Sequence, residues 1–253
     1  MSSGVTVVKV GGNDVEDAAW VHALAQRLAR VRPLIVVHGG GREVSALQSR
    51  LGAEPEFRDG LRVSSADTVR IAAMVLSGIV NKRLVSALVS AGADALGVSG
   101  EDGGLLSAEA AMNGALGRTG VVTAVRADLL RSLLALGLVP VVSPISRGGD
   151  GGAFNVNADD AACAIAASIS AQRLLFVSNV DGVLIGGAIT RDVGVLEVEA
   201  AIRSGAVTGG MTPKLRAAAR AAAAGVRDVR IGTLDVLMQS AGTRVLAGAQ
   251  VIA

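Results

Sequence analysis

Residues 5–12 read Val-Thr-Val-Val-Lys-Val-Gly-Gly (VTVVKVGG), and their reading decides the fold. Residues 5–10 are a short β-branched run closed by glycine, which predicts a buried strand. Lys9 interrupts that run. An unpaired ammonium in a buried strand is costly, so Lys9 points to an anion. The Gly11-Gly12 pair behind it lets backbone amides approach the same anion, although such a pair is also an ordinary turn.

Working outward, the same unit repeats. Residues 33–38 (PLIVVH) form a second apolar run ending in Gly39-Gly40-Gly41, and further strands are predicted at 93–98, 139–143, 173–178 and 228–231. Helical spacing fills 16–31, the stretch from the glycine triplet to about 51, then 66–91 with a bend near Gly78, 128–136, 157–170, 197–204 and 213–224. Residues 54–63 read as an extended segment or hairpin, 105–125 as small antiparallel strands, 147–154 as a loose loop and 242–246 as an edge piece. Strands alternating with helices predict an α/β chain with an open, mainly parallel sheet sandwiched by helices. Ligands in such sheets sit at the carboxyl ends of the strands, where the glycine clusters fall.

Composition narrows the function. At 253 residues, 51% hydrophobic and 18% charged, the chain can bury a large core and is not disordered. No apolar run of the roughly 18–20 residues needed to cross a bilayer is expected. Met1-Ser2-Ser3-Gly4 shows no secretory signal. A formal charge of +2, no tyrosine and 2% aromatic residues argue against nucleic acid. The single cysteine, Cys163, rules out an internal disulfide and predicts a packed thiol in a reducing compartment. Only Lys9, Lys82 and Lys214 among the 24 basic residues are lysine. A lysine kept in an arginine-rich background points to a need for a compact point donor. Lys82, inside a helical pattern, reads as a chance survivor.

Four further stretches carry chemistry. Gly39-Gly40-Gly41 leaves backbone free to wrap an anion at a helix N-terminus, without the spacing of a Walker loop or a dinucleotide fingerprint. Arg62 can grip a carboxylate with two prongs. In the run from Asn155 to Asp160, Asn157 reads as a helix N-cap and Asp159 sits in the first turn. Pro213 suits a first helical turn, yet Lys214 beside it lies at the end of a helix that repels cations. An anion held between them would resolve that conflict.

In order along the chain, VVKVGG, VVHGGG, DGLRV, NVNADDAA, SNVDGVL, GGMTPK and GTRVLA resemble the amino acid kinase family over essentially the whole length. The likeness extends to members that phosphorylate N-acetylglutamate in arginine biosynthesis. It implies two lobes, residues 1–172 for the acyl-amino acid and dimerisation and residues 173–253 for ATP. It implies that Lys9 and Lys214 neutralise the migrating phosphoryl group while Asp159 orients both lysines. Gly40, Gly41, Arg62, Asn155 and Asn157 would hold N-acetylglutamate, Arg62 on its α-carboxylate. Gly11, Gly12, Asn179, Val180, Asp181, Gly182, Val183, Leu184, Ala206, Val207, Thr208, Gly210 and Met211 would line the nucleotide site, Gly11 through its amide.

A side-chain carboxylate with a pKa of about 4.3 is ionised at neutral pH and needs no base. His38 is accordingly read as structural. Positioning and cationic neutralisation are then the means of phosphoryl transfer. Mg2+ is expected to come with ATP, held through phosphates and water rather than by a protein cage. The likeness further implies a cytoplasmic homodimer without arginine feedback, because the strand bearing Lys9 starts near the N-terminus. Asn179, Arg42 and Val63-Ser64-Ser65 depart from the commoner forms, Asn179 standing where an aspartate is frequent. Two alternatives stay open at this point: a kinase for carrier-bound aminoadipate or glutamate, and a non-catalytic regulator of the same fold. The retained lysines count against the second.

Overall fold

Side chains alternate across the first strand, β1 (Thr6–Val10), and that alternation lays out the layers. A computed structural model describes residues 4–11, 15–238 and 241–248; Gly12, one of the expected nucleotide residues, lies outside them. Val7 packs into one core, Val8 and Val10 into another on the opposite face. Lys9 shares the face of Val7. The sheet comprises β1, β2 (Leu34–His38), β3 (Ala95–Ser99), β4 (Val139–Ser143), β5 (Arg173–Val177), β6 (Asp192–Gly194), β7 (Asp228–Gly232) and β8 (Thr243–Leu246). Their spatial order is β6-β8-β7-β5-β1-β2-β4-β3, every pair parallel except β7 with β8. The expected open, mainly parallel sheet is what forms.

Helices α1 (Ala18–Leu28), α2 (Gly41–Arg50) and α3 (Ala66–Ser90) cover the Val8 face. Helices α4 (Ala127–Ala135), α5 (Ala158–Ser168), α6 (Val195–Arg203) and α7 (Met211–Ala223) cover the Val7 face. α5 and α7 pack together, and their buried residues are mostly alanine, among them Ala161, Ala162, Ala166, Ala217, Ala218 and Ala221. Small side chains let two helix axes approach closely. The start of α5, with Asp159, is thereby brought to the start of α7, with Lys214.

Two expectations change. The stretch read as a loose loop holds strands Ile145–Gly148 and Ala153–Val156, which close a small barrel with Leu106–Ala110 and Thr119–Val125. Its glycines form only the turn, where Asp150 accepts the Gly152 amide at 3.0 Å and pairs with Arg118 at 2.6 Å. Phe154 and Val156 are buried by alternation. Second, α3 has the length and composition of a membrane-crossing helix, with a mean hydropathy of 1.5 over its most apolar window. Charged Asp67, Arg70, Lys82 and Arg83 interrupt it, and Val69, Ile71, Ala72, Val75, Leu76, Val80, Leu84 and Leu88 are buried. The bend anticipated at Gly78 is a π-helical segment, Met74–Val80.

Candidate active site

The carboxyl ends of β1 and β2 open into a cleft of about 230 Å3, whose walls include Lys9, Gly40, Gly41, Arg62, Asn155, Asn157 and Asp159. These residues come from four separate stretches of sequence, and the fold places them around one space.

Lys9, Asp159 and Lys214 are all buried. The Lys9 ammonium lies 2.8 Å from Asp159 Oδ1, and that of Lys214 lies 3.7 Å from the same oxygen. Burial alone would raise the Asp159 pKa, but the charges of Lys9 and Lys214 outweigh it and hold the carboxylate below its usual range. Burial, then the charge of Lys9, pushes Lys214 down to about 8, against the pull of Asp159. Two cations therefore share one anion, and a net positive charge remains in a partly dry pocket. Helix starts add to it. Gly40 and Gly41 open α2, Asn157 caps α5, and Gly210 precedes α7.

Arg62 ends a short hairpin, Phe57–Arg58 with Leu61–Arg62, and its guanidinium lies 4.6 Å over the Phe57 ring. Asn155, on the barrel strand, donates from Nδ2 to Ser64 Oγ at 3.2 Å, and Ser64 donates to the Arg62 carbonyl at 3.2 Å. Thr119 Oγ1 donates to the same carbonyl. One buried hydroxyl pair thus ties Arg62 and Asn155 into a single unit, with Asn155 Oδ1 free of protein donors among the described residues. Sequence reasoning noted Ser64 only within the unusual Val63-Ser64-Ser65 turn, without a role, and passed over Thr119. Their signal was only that Ser64 follows Arg62 by two residues.

Gly40 is required by close approach: a Cβ there would stand 2.7 Å from Leu76 Cδ2. Asn157 is both wall and cap, its Oδ1 accepting from the Asp159 and Asp160 amides at 2.8 and 3.4 Å. The Gly11 amide departs from its expected role. It donates to the Val177 carbonyl at 3.0 Å, so in this fold it is not available to a phosphate. His38 is wholly buried and its pKa falls to about 4, mainly by burial. Cys163 is buried, and burial pushes its thiol up, away from reactivity.

The expected nucleotide residues among those described are not part of the cleft walls. Residues 179–182 leave β5, and Ala206 to Gly210 lead into α7. Asn179, Asp181, Leu184, Ala206, Thr208 and Gly210 are exposed there, while Val180 and Met211 are half-buried. Gly182, Val183 and Val207 are buried, and the side chains of Val183 and Val207 belong to the core, so only their backbone could meet a ligand.

The sequence profile of the amino acid kinase family matches residues 4–233. An acetylglutamate kinase of Roseiflexus sp. (strain RS-1) is 48% identical over 240 residues, spanning 94% of this chain and 92% of that protein. An acetylglutamate kinase of Methanopyrus kandleri is 46% identical over 250 residues, spanning 94% and 98%. Among solved structures, smu.665 from Streptococcus mutans UA159 superposes with a TM-score of 0.85 at 27% identity, covering 96% of this chain and 99% of that one.

Proposed function

The chain belongs to the amino acid kinase family, and on that footing we propose that it transfers the γ-phosphoryl group of ATP to the side-chain carboxylate of N-acetyl-L-glutamate, a step of arginine biosynthesis. The observation that carries the site is the charge count. Lys9, Lys214 and Arg62 converge with one carboxylate among them, Asp159, at the carboxyl ends of the strands. A surplus of buried cations is unfavourable for a bare protein, and it suits two anionic reactants that must be held together.

The division of labour proposed is the following. Arg62, Asn155, Asn157, Gly40 and Gly41 bind the acyl-amino acid. Lys9 lines that cleft and Lys214 meets it at Asp159, while residues 179–184, after β5, and 206–211, at the start of α7, take the nucleotide. The acceptor carboxylate attacks the γ-phosphorus, the bond to the β–γ bridging oxygen breaks, and ADP leaves. The two ammonium groups offset charge on the phosphoryl oxygens, and Asp159 keeps both aimed. The Gly11 amide takes no part, being bonded within the protein. Mg2+ neutralises phosphate charge when it arrives with ATP. The cleft carboxylate is committed to two lysines, so the chain would meet that ion through phosphates.

Residues 1–172 serve as the acyl-amino-acid lobe and 173–253 as the nucleotide lobe of one continuous sheet. The working form is a cytoplasmic homodimer. What supports the dimer is one edge of the sheet: β3 is the last strand, and Leu96 on it is exposed together with Met74, Ile79 and Val89 on α3. Sedimentation equilibrium reads its mass directly.

The reaction is tested by incubating protein, ATP, Mg2+ and hydroxylamine with N-acetylglutamate or glutamate and measuring the hydroxamate of the trapped acyl phosphate. Signal with the acetylated substrate alone is expected. No signal with either acid would overturn this reaction and leave a kinase for a carrier-bound substrate or a non-catalytic regulator.

A further inference from the structure

Arg62 is buried, yet it forms no ion pair with a carboxylate among the described residues. Its guanidinium donates to Gln48 Oε1 at 2.9 Å, to the Gly41 carbonyl at 2.9 Å and to Ser45 Oγ at 2.8 Å. All three acceptors are neutral. The nearby acids are engaged elsewhere, Glu43 with Arg83 and Glu56 with Arg58. Burial lowers the Arg62 pKa with nothing opposing it, as befits a desolvated cation without a counter-ion.

Gln48 is itself only 4% exposed, on a helix whose other fully buried side chain is Val44. Packing alone would be served there by an apolar residue. Instead its Nε2 donates to the Glu54 carbonyl at 3.3 Å, and its Oε1 receives Arg62. Both partners fix the same amide orientation, because a carbonyl can only accept and a guanidinium can only donate. The amide is locked from both ends. It holds one prong of Arg62 without cancelling its charge.

We infer that Gln48, assisted by Ser45, is a positioning residue of the acyl-amino-acid site, orienting the Arg62 guanidinium through neutral oxygens so that its full charge is left for the α-carboxylate of the substrate. This rests on the reaction proposed above. A glutamate at position 48 would have nearly the same shape and would supply that counter-ion from within. The fold would gain a buried ion pair while the substrate lost its anchor. Stability and affinity would move in opposite directions, a signature that mere structural damage does not produce.

The test compares wild type with Gln48→Glu and Gln48→Met by steady-state hydroxamate formation, by titration of N-acetylglutamate into free protein, and by thermal unfolding. In Gln48→Glu, KM and Kd for N-acetylglutamate should rise about tenfold or more, kcat and KM for ATP should stay within about twofold, and Tm should hold or rise. Gln48→Met, which removes the acceptor and adds no charge, should raise KM about threefold and lower Tm. A Gln48→Glu protein with KM within twofold of wild type, or with its loss carried by kcat or by ATP, overturns the inference. If Gln48→Glu does not fold, an unchanged KM in Gln48→Met overturns it instead. Wild type that neither binds nor turns over N-acetylglutamate fails one step earlier, at the reaction itself.

Discussion

The ammonium of Lys9 lies 2.8 Å from Oδ1 of Asp159, with both groups buried. Lys214 reaches the same oxygen from the other helix, at 3.7 Å. One carboxylate oxygen therefore sets the spacing of two cations that come from opposite ends of the chain. A guanidinium cannot replace either on that point, because its charge is spread over a wider plane. Lys9→Arg and Lys214→Ala should each lower kcat by about a hundredfold or more, with circular dichroism still that of a folded protein. Near-normal turnover in either variant would remove that lysine from the mechanism.

The depressed pKa of Lys214, about 8 through burial and the charge of Lys9, gives a pH signature. Its ammonium is lost as pH rises through that value, so kcat/KM for ATP should fall about tenfold per pH unit above it. A bound polyanion favours the charged form and should push the corresponding limb of kcat to higher pH. Lys214→Arg stays charged throughout and should lose the limb even if turnover is slow. A wild-type kcat/KM that stays flat well above pH 8 would show that the charge of Lys214 is not needed.

Ser64 gives a third expectation. Its hydroxyl joins Asn155 Nδ2 to the Arg62 carbonyl at 3.2 Å on each side, in a place without solvent. Ser64→Ala leaves the Asn155 amide without its anchor and should raise KM for N-acetylglutamate about fivefold to tenfold while leaving KM for ATP unchanged. If both KM values rise together, the hydroxyl supports the fold generally and not the acyl-amino-acid site.

Much of this was legible in the chain itself, and the limits have physical causes. Short apolar runs identified the inner strands, because burial on both faces leaves a nearly continuous apolar signal in β1, β2 and β5, broken inside β1 by Lys9. Lys9 and Lys214 were visible as charges in the wrong electrostatic setting, one inside an apolar strand and one at a helix start. The strand Ala153–Val156 was hidden because its turn is so rich in glycine that the alternation beside it was masked. The hairpin Val183–Ile185 with Ala188–Thr190 was missed for the same reason, its turn being Gly186-Gly187 at φ +63° and +83°. The Gly11 amide was misassigned since pairing between β1 and β5 continues one residue past the strand end, and only the register reveals that. Gln48, Ser64 and Thr119 act through hydrogen bonds across distant segments, and single-chain periodicity holds no information on those.

His38 supplies the last expectation, and its sign is opposite to that of a surface histidine. Its Nδ1 lies 2.9 Å from the Gly39 carbonyl, and Asn81 Nδ2 lies 3.1 Å from its Nε2. Asn81 Nδ2 also bonds the Val141 carbonyl, at 2.8 Å. A carbonyl accepts, so Nδ1 carries the hydrogen and Nε2 receives one, which is the neutral ring. Burial holds the folded pKa at about 4, against 6.5 for the ordinary side chain. Between those values the unfolded chain binds the extra proton, so this residue makes stability fall as pH drops from 6.5 toward 4 and has no effect above 6.5. Relative to His38→Gln, the wild-type protein should lose about 2–3 kcal/mol between pH 7 and pH 4.5 by urea unfolding. A gap between the two proteins that is the same at both pH values would mean the ring is not held neutral. The added proton would go to Nε2, where Asn81 Nδ2 now donates, and would leave the Nδ1 bond to the Gly39 carbonyl in place, so the conflict on protonation falls between His38 and Asn81.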